Sequence, residues 1–101
     1  RSTNLPCIVD ADTGFGGTIN IHRTVRDLAD VGVAALIIED QQFPKKCALT
    51  EKVKILNFQE SCERIKAAVK AAKENKKQDI GIIARTDAYP VLGIKETVKR
   101  I

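Results

Sequence analysis

Three short stretches of this chain are apolar from end to end, and each stops at charged residues. Leu5-Pro6-Cys7-Ile8-Val9 runs into Asp10 and Asp12. Val33-Ala34-Ala35-Leu36-Ile37-Ile38 runs into Glu39 and Asp40. Ile80-Gly81-Ile82-Ile83-Ala84 runs into Arg85 and Asp87. A strand with one wet face alternates apolar and polar residues. A continuous apolar run of this length reads instead as a strand covered on both faces, the habit of parallel sheets. Parallel neighbours need a long crossover between them, so the segments between the runs must be helical.

They have that pattern. Ile21, Val25, Leu28 and Ala29 recur on one helical face, and Gly32 is placed to stop the helix. A second helix opens at Asn57, an N-cap with Glu60 three residues on. Its apolar face reads Phe58, Cys62, Ile65, Val69 and Ala72, and lysines gather toward its C-terminal end, where the dipole favours them. Ala88-Tyr89-Pro90 reads as a turn, and Ile94 begins a third helix that runs to Ile101. Residues 41–56 are polar and lysine-rich around Pro44, and a connection of that length is usually functional. The order strand–helix, three times over, predicts an α/β fold with parallel strands at residues near 5–10, 33–39 and 80–86 and the helices on one side.

Composition closes off other classes. Of 101 residues, 44% are apolar and 30% charged, with nine Pro and Gly together, which excludes a disordered, collagenous or disulfide-dense chain. No apolar run approaches a membrane span. The N-terminal RSTNLP has no secretory pattern, and without an initial Met any upstream targeting segment would be out of view. The net charge, 17 minus 13, is +4. Its lysines have neither interleaved aromatics nor an arginine stripe, so no nucleic-acid partner is expected. Three cysteines at spacings that match no zinc motif fit a reducing compartment, cytoplasm or mitochondrial matrix.

Parallel strands would bring Asp10, Asp12, Glu39, Asp40, Arg85 and Asp87 to one rim, at the edge where such folds bind ligands. Carboxylates crowded there repel unless a cation lies among them, and oxygen-only donors suit Mg²⁺ or Mn²⁺. The alternative is that the acids are turn formers and caps. Arg85 is suited to bidentate carboxylate or phosphate binding, or else pairs with Asp10, Asp12 or Asp87. Gly14, Gly16 and Gly17 could form an anion nest before the first helix, but GFGG is not a dinucleotide fingerprint. Cys47 follows Lys45 and Lys46, which favour its thiolate. Cys7 and Cys62 read as small core residues, and His22, the one histidine, as a surface residue.

VDADTGFGG, IEDQ, PKKC and ARTDA, in this order and spacing, resemble the isocitrate lyase/phosphoenolpyruvate mutase superfamily over nearly the whole chain, Leu5 to Ile101. The resemblance implies a (β/α)₈ barrel of ~250 residues, of which this chain would supply about three βα units of one catalytic domain, residues 1–101, incomplete at both ends. It implies Mg²⁺ (or Mn²⁺) held by Asp10, Asp12 and Glu39, the last often through water. It implies a substrate carboxylate on Arg85, a backbone turn beside the substrate at Gly14, Phe15 and Gly16, and a catalytic Cys47. The implied reaction cleaves a C–C bond of a small 2-hydroxy di- or tricarboxylate, of the isocitrate, methylisocitrate or dimethylmalate type. The implied assembly is a homo-oligomer, usually a tetramer.

One departure is plain. Lyases of this group read Gly-His after the cysteine, and this chain reads Ala48-Leu49. That keeps two further readings in play: an oxaloacetate-type hydrolase or phosphonomutase-like enzyme, and a non-catalytic paralogue that retains the metal rim.

Overall fold

The structure is a computed structural model, and it describes residues 4–42 and 54–101. Three strands, β1 (Ile8–Asp10), β2 (Ala35–Glu39) and β3 (Gly81–Arg85), alternate with three helices, α1 (Thr18–Asp30), α2 (Phe58–Glu74) and α3 (Tyr89–Arg100). The sheet order is β1-β2-β3, and both pairings are parallel. Neighbours in sequence are neighbours in the sheet, as in an arc of a (β/α) barrel.

The register sorts the side chains into two faces. Val9, Leu36 and Ile82 form one cross-strand row, and Ile38 and Ala84 the next. This face meets the helices. Leu36 and Ile38 are fully buried against Ile21, Val25 and Ala29 of α1 and Ala68 and Ala71 of α2. Each large aliphatic so buried stabilises the fold by about 1.5–3 kcal/mol. The opposite face carries Ile8, Ala35 and Gly81 in one row and Asp10, Ile37 and Ile83 in the next. Ile8 and Ile83 on it are exposed. The strands are therefore covered on one face among the described residues, not on both as their apolar runs predicted. In a closed barrel that second face is the interior.

The helix ends follow the sequence logic. Gly32 has φ +88, and the Gly32 and Val33 amides donate to Ala29 and Leu28 carbonyls at 3.0 and 3.1 Å, which ends α1 in a Schellman motif. The Asn57 side chain accepts from the Glu60 amide at 2.8 Å and caps α2. The buried stripe of α2 is rotated from the predicted one. Ala68 and Ala71 are buried, whereas Phe58, Cys62, Ile65, Val69 and Ala72 are half-buried. α2 is pressed against α1 as well as the sheet, and the line of closest approach selects the smallest side chains. α3 begins at Tyr89 rather than Ile94, because Pro90 sits in its first turn, where no amide is needed. Gly93, at φ +82 and ψ +177, then breaks the helix before it resumes.

Candidate functional site at the carboxyl ends of the strands

The turn after β1 is built from unusual backbone. Asp12 and Phe15 have φ +52 and +62, and Gly14 and Gly16 have φ +90 and +138. Asp visits this region without much penalty, but a bulky Phe does so only where its surroundings force it. The forcing contacts are visible. The Asp12 amide donates to Asp10 Oδ1 at 2.9 Å, Arg64 of α2 donates to the Thr13 carbonyl at 2.7 Å, and Thr24 of α1 donates to the Gly14 carbonyl at 3.2 Å. A Cβ on Gly14 would lie 2.3 Å from Ile21 Cγ1, in the core. The turn is thus pinned from below while Phe15 stays exposed above it. No sequence signal marked Arg64 for this part, since an arginine within a helix usually points to solvent.

Glu39 lies opposite Arg85 in register, and its amide donates to the Asp12 carbonyl at 2.8 Å, which keeps the end of β1 beside β2. Two residues back, Asp10 shares their face. Asp10, Glu39 and Arg85 therefore converge on the face turned away from the helices, and Asp12 stands at the turn beside them. Glu39 is buried and Asp10 exposed. The guanidinium of Arg85 is raised above the ordinary arginine range, chiefly by its hydrogen bond to Asp87 and that residue's charge, then by the charges of Glu39 and Asp10, with slight burial opposing. Arg85 Nε donates to Asp87 Oδ1 at 2.9 Å, so of the two roles predicted for Arg85 the ion pair is present. That bond engages only Nε. The two Nη groups have no partner among the described residues, and the side chain is half exposed.

Asp40 and Asp87 differ from the other acids. Asp40 Oδ1 accepts from the Asp87 amide at 2.8 Å, and Oδ2 accepts from Thr86 and from Arg100. Arg100 is itself buried and also donates to the Leu56 carbonyl at 2.8 Å and to Ser61. Asp87 Oδ2 accepts from Gln41 at 2.9 Å. These two acids tie separate elements together: Asp40 joins the end of β2 to α3 and to the segment after β3, and Asp87 joins Gln41 to Arg85. Arg100 and Gln41 were not foreseen: a basic residue in a last helical turn reads as a dipole cap, and a glutamine after a strand reads as loop.

Cys7 is half-buried on the edge strand's approach, with Sγ 3.5 Å from the Leu5 carbonyl, and Cys62 is half-buried, so neither is a core residue as predicted. Cys62 instead lines a cavity of about 640 Å³ that reaches Glu39 and Arg85 from the helix side, over Ile38, Ile65 and Ala84. Cys47, with Lys45 and Lys46, lies outside the described residues. His22 is at the surface, 2.9 Å from Glu74. No helix among the described residues is long and apolar enough to cross a membrane.

Among the described residues, no three His, Cys, Asp or Glu side chains gather into a cage for a metal ion. Mg²⁺ does not need one, since it keeps several waters and takes one or two carboxylates directly. An oxygen-only set spread over Asp10, Asp12 and Glu39 fits that habit and lacks the nitrogen and sulfur ligands that zinc prefers.

A parallel (β/α) arc with acids and an arginine at the carboxyl ends of its strands matches a segment of a (β/α) barrel. The family is shown directly: the chain belongs to the phosphoenolpyruvate phosphomutase family, whose model matches residues 1–101. It is 45% identical over 100 residues to the 2-methylisocitrate lyase of Aeropyrum pernix, covering 99% of this chain and 31% of that protein. A solved 2,3-dimethylmalate lyase, described as a PEP mutase/isocitrate lyase superfamily member, superposes with a TM-score of 0.90 at 40% identity, over 98% of this chain and 33% of that one. A phosphonopyruvate hydrolase solved in complex with oxalate and Mg²⁺ superposes with a TM-score of 0.80 at 33% identity, over 98% of this chain and 32% of that one. The chain spans about a third of the length of the curated relatives it matches.

Proposed function

We propose that the complete protein is a Mg²⁺-dependent lyase that cleaves a C–C bond of a 2-hydroxy di- or tricarboxylate, releasing a 2-oxo acid and a second carboxylate. The observation that carries this reading is the in-register pairing of Glu39 with Arg85, with Asp10 on the same face. That arrangement sets a carboxylate-binding fork across from hard oxygen donors. Asp10, Asp12 and Glu39 would hold the ion, Glu39 through water. When bound, Mg²⁺ stabilises negative charge that develops on the substrate's oxygens. Arg85 would bind the carboxylate of the 2-oxo-acid half through its Nη groups, and the 14–16 turn would close against the same half. Cys47 would give its proton to the carbon from which the bond departs, and Lys45 and Lys46 would tune that thiol. The 2-methylisocitrate and 2,3-dimethylmalate lyases among its relatives support the substrate class, and the oxalate and Mg²⁺ of the phosphonopyruvate hydrolase support the ion and the carboxylate half.

That same hydrolase, together with Ala48-Leu49 after the cysteine, favours hydrolysis as the second reading. The test is turnover by the complete protein of 2-methylisocitrate, isocitrate, 2,3-dimethylmalate, oxaloacetate and phosphonopyruvate, with Mg²⁺, after chelation, and with Mg²⁺ restored. Cleavage of one of the first three, lost on chelation and restored by Mg²⁺, is the expected result. Turnover confined to oxaloacetate or phosphonopyruvate would replace the lyase with the hydrolase. Oxalate and Mg²⁺ binding without any turnover would mark a non-catalytic paralogue.

A further inference from the structure

We propose that Asp87 is a positioning residue: it fixes the guanidinium of Arg85 across the rim and makes that guanidinium one hydrogen-bonded unit with the residues that leave β2. This rests on the carboxylate-binding reading of Arg85. A guanidinium on a half-exposed side chain samples many directions, and binding a ligand in one of them costs rotamer entropy. Asp87 removes that freedom. Its Oδ1 takes Arg85 Nε at 2.9 Å, which sets the plane of the fork and leaves both Nη groups for a bidentate partner.

Asp87 can do this because two further hydrogen bonds hold it. It is buried, at 8% exposure. Gln41 donates to its Oδ2, and its amide donates to Asp40, whose other oxygen is bound by Arg100. Asp40 and Gln41 belong to the segment just after β2. There the Leu56 amide donates to the Asp40 carbonyl at 2.8 Å and the Gln42 amide to the Lys54 carbonyl at 2.7 Å. The stem that flanks residues 43–53 and the arginine of the rim are therefore tied through one carboxylate. Simple ion pairing would need none of this second layer.

The test is a double-mutant cycle in the complete protein, reading oxalate affinity by calorimetry with Mg²⁺ present. Asp87→Ala should weaken oxalate tenfold or more when Arg85 is present and less than twofold in an Arg85→Ala background, because its effect passes through that residue. Asp87→Asn guards against a folding failure. It keeps the shape and an oxygen acceptor for Nε, and a flipped Gln41 amide can meet its new NH₂. It should unfold at nearly the wild-type temperature yet still weaken oxalate severalfold only when Arg85 is present. Equal losses in the two backgrounds, or no loss from either variant, would overturn the proposal. Wild-type protein that does not bind oxalate would overturn it together with the carboxylate reading. Oxalate binding with the expected coupling but no C–C cleavage would overturn the lyase alone.

Discussion

The rim has two halves made from the same residue types, and they are held differently. Toward β3, Asp40 and Asp87 are engaged by Arg100, Thr86, Gln41 and Arg85. Toward β1, the Asp10 carboxylate accepts from the Asp12 amide, the Glu39 amide donates to the Asp12 carbonyl, and the charges of Glu39 and Asp10 act on Arg85. An acid answered by a buried arginine holds the fold together. On the proposed reading, the acids toward β1 are the ones that would take a cation from solution. Position at a strand end does not decide how an acid is held; the residues that other elements bring to it do.

Single substitutions on each side should separate the halves, and the largest effect is expected toward β1. Asp12→Asn should remove most Mg²⁺ affinity, and with it turnover, while the unfolding temperature in the absence of metal changes little, because Asn tolerates the φ of +52 as Asp does. Asp40→Ala should do the reverse. It leaves Arg100 buried and short of its partner, a loss that costs about 3–5 kcal/mol when a buried pair is broken, here toward the low end because Glu96 and the Leu56 carbonyl remain. Calorimetric Mg²⁺ titration and chemical unfolding on both variants check the pair. If Asp40→Ala abolished Mg²⁺ binding without loss of stability, the division of the rim would be wrong.

Cys47→Ser bears on which chemistry the β1 half serves. A thiol that protonates the departing carbon contributes about 10²–10⁴-fold, so kcat should fall by that much while substrate affinity holds. Near-wild-type turnover by this variant would take the thiol out of the reaction and favour the hydrolase.

Much of this was legible in the residues, and the misses have physical causes. The three strands, their parallel order and the ends of α1 and α2 follow from apolar runs, Gly32 and Asn57, because local chemistry decides them. Asp10, Asp12, Glu39 and Arg85 could be placed on one rim because parallel strands leave their C-terminal ends at one edge. What pairs with what was not legible. Arg100 meets Asp40 across sixty residues, and Arg64 meets Thr13 across fifty-one; neither separation has a periodic signature. The rotated face of α2 was hidden for a related reason, since periodicity finds an apolar stripe but not the neighbour that will press on it.

A smaller effect should follow from the turn that carries the β1 half. Gly14→Ala places a methyl 2.3 Å from Ile21 Cγ1 and holds a non-glycine residue at φ +90. The conformational part alone is about 1–2 kcal/mol, and overpacking adds about as much again. Because Ile21 is in the core and Asp12 is in the turn, both unfolding free energy and Mg²⁺ affinity should fall. A loss of stability with unchanged Mg²⁺ affinity would show that the turn supports the core and not the rim.

The smallest effect is expected from an acid that belongs to neither half. Glu74, at the end of α2, accepts a hydrogen bond from His22 of α1 at 2.9 Å, with both side chains about half exposed. Its carboxyl is held below the ordinary glutamate value, first by that hydrogen bond, which desolvation opposes, and then by the charges of His22 and Lys70. A carboxyl whose folded value is depressed adds stability that is present above its unfolded value and lost as pH falls through the folded one. The contribution of Glu74 should therefore be present above the usual glutamate range and disappear on its acid side. Salt should shrink it further, since water screens an exposed pair. Wild type and Glu74→Gln compared by urea unfolding at pH 7 and pH 3, in low and high salt, give the measurement. The gap between them should be small at pH 7, smaller in salt and absent at pH 3. A gap as large as that of Asp40→Ala, or one that persists at pH 3, would mean that burial does not separate structural acids from incidental ones in this chain.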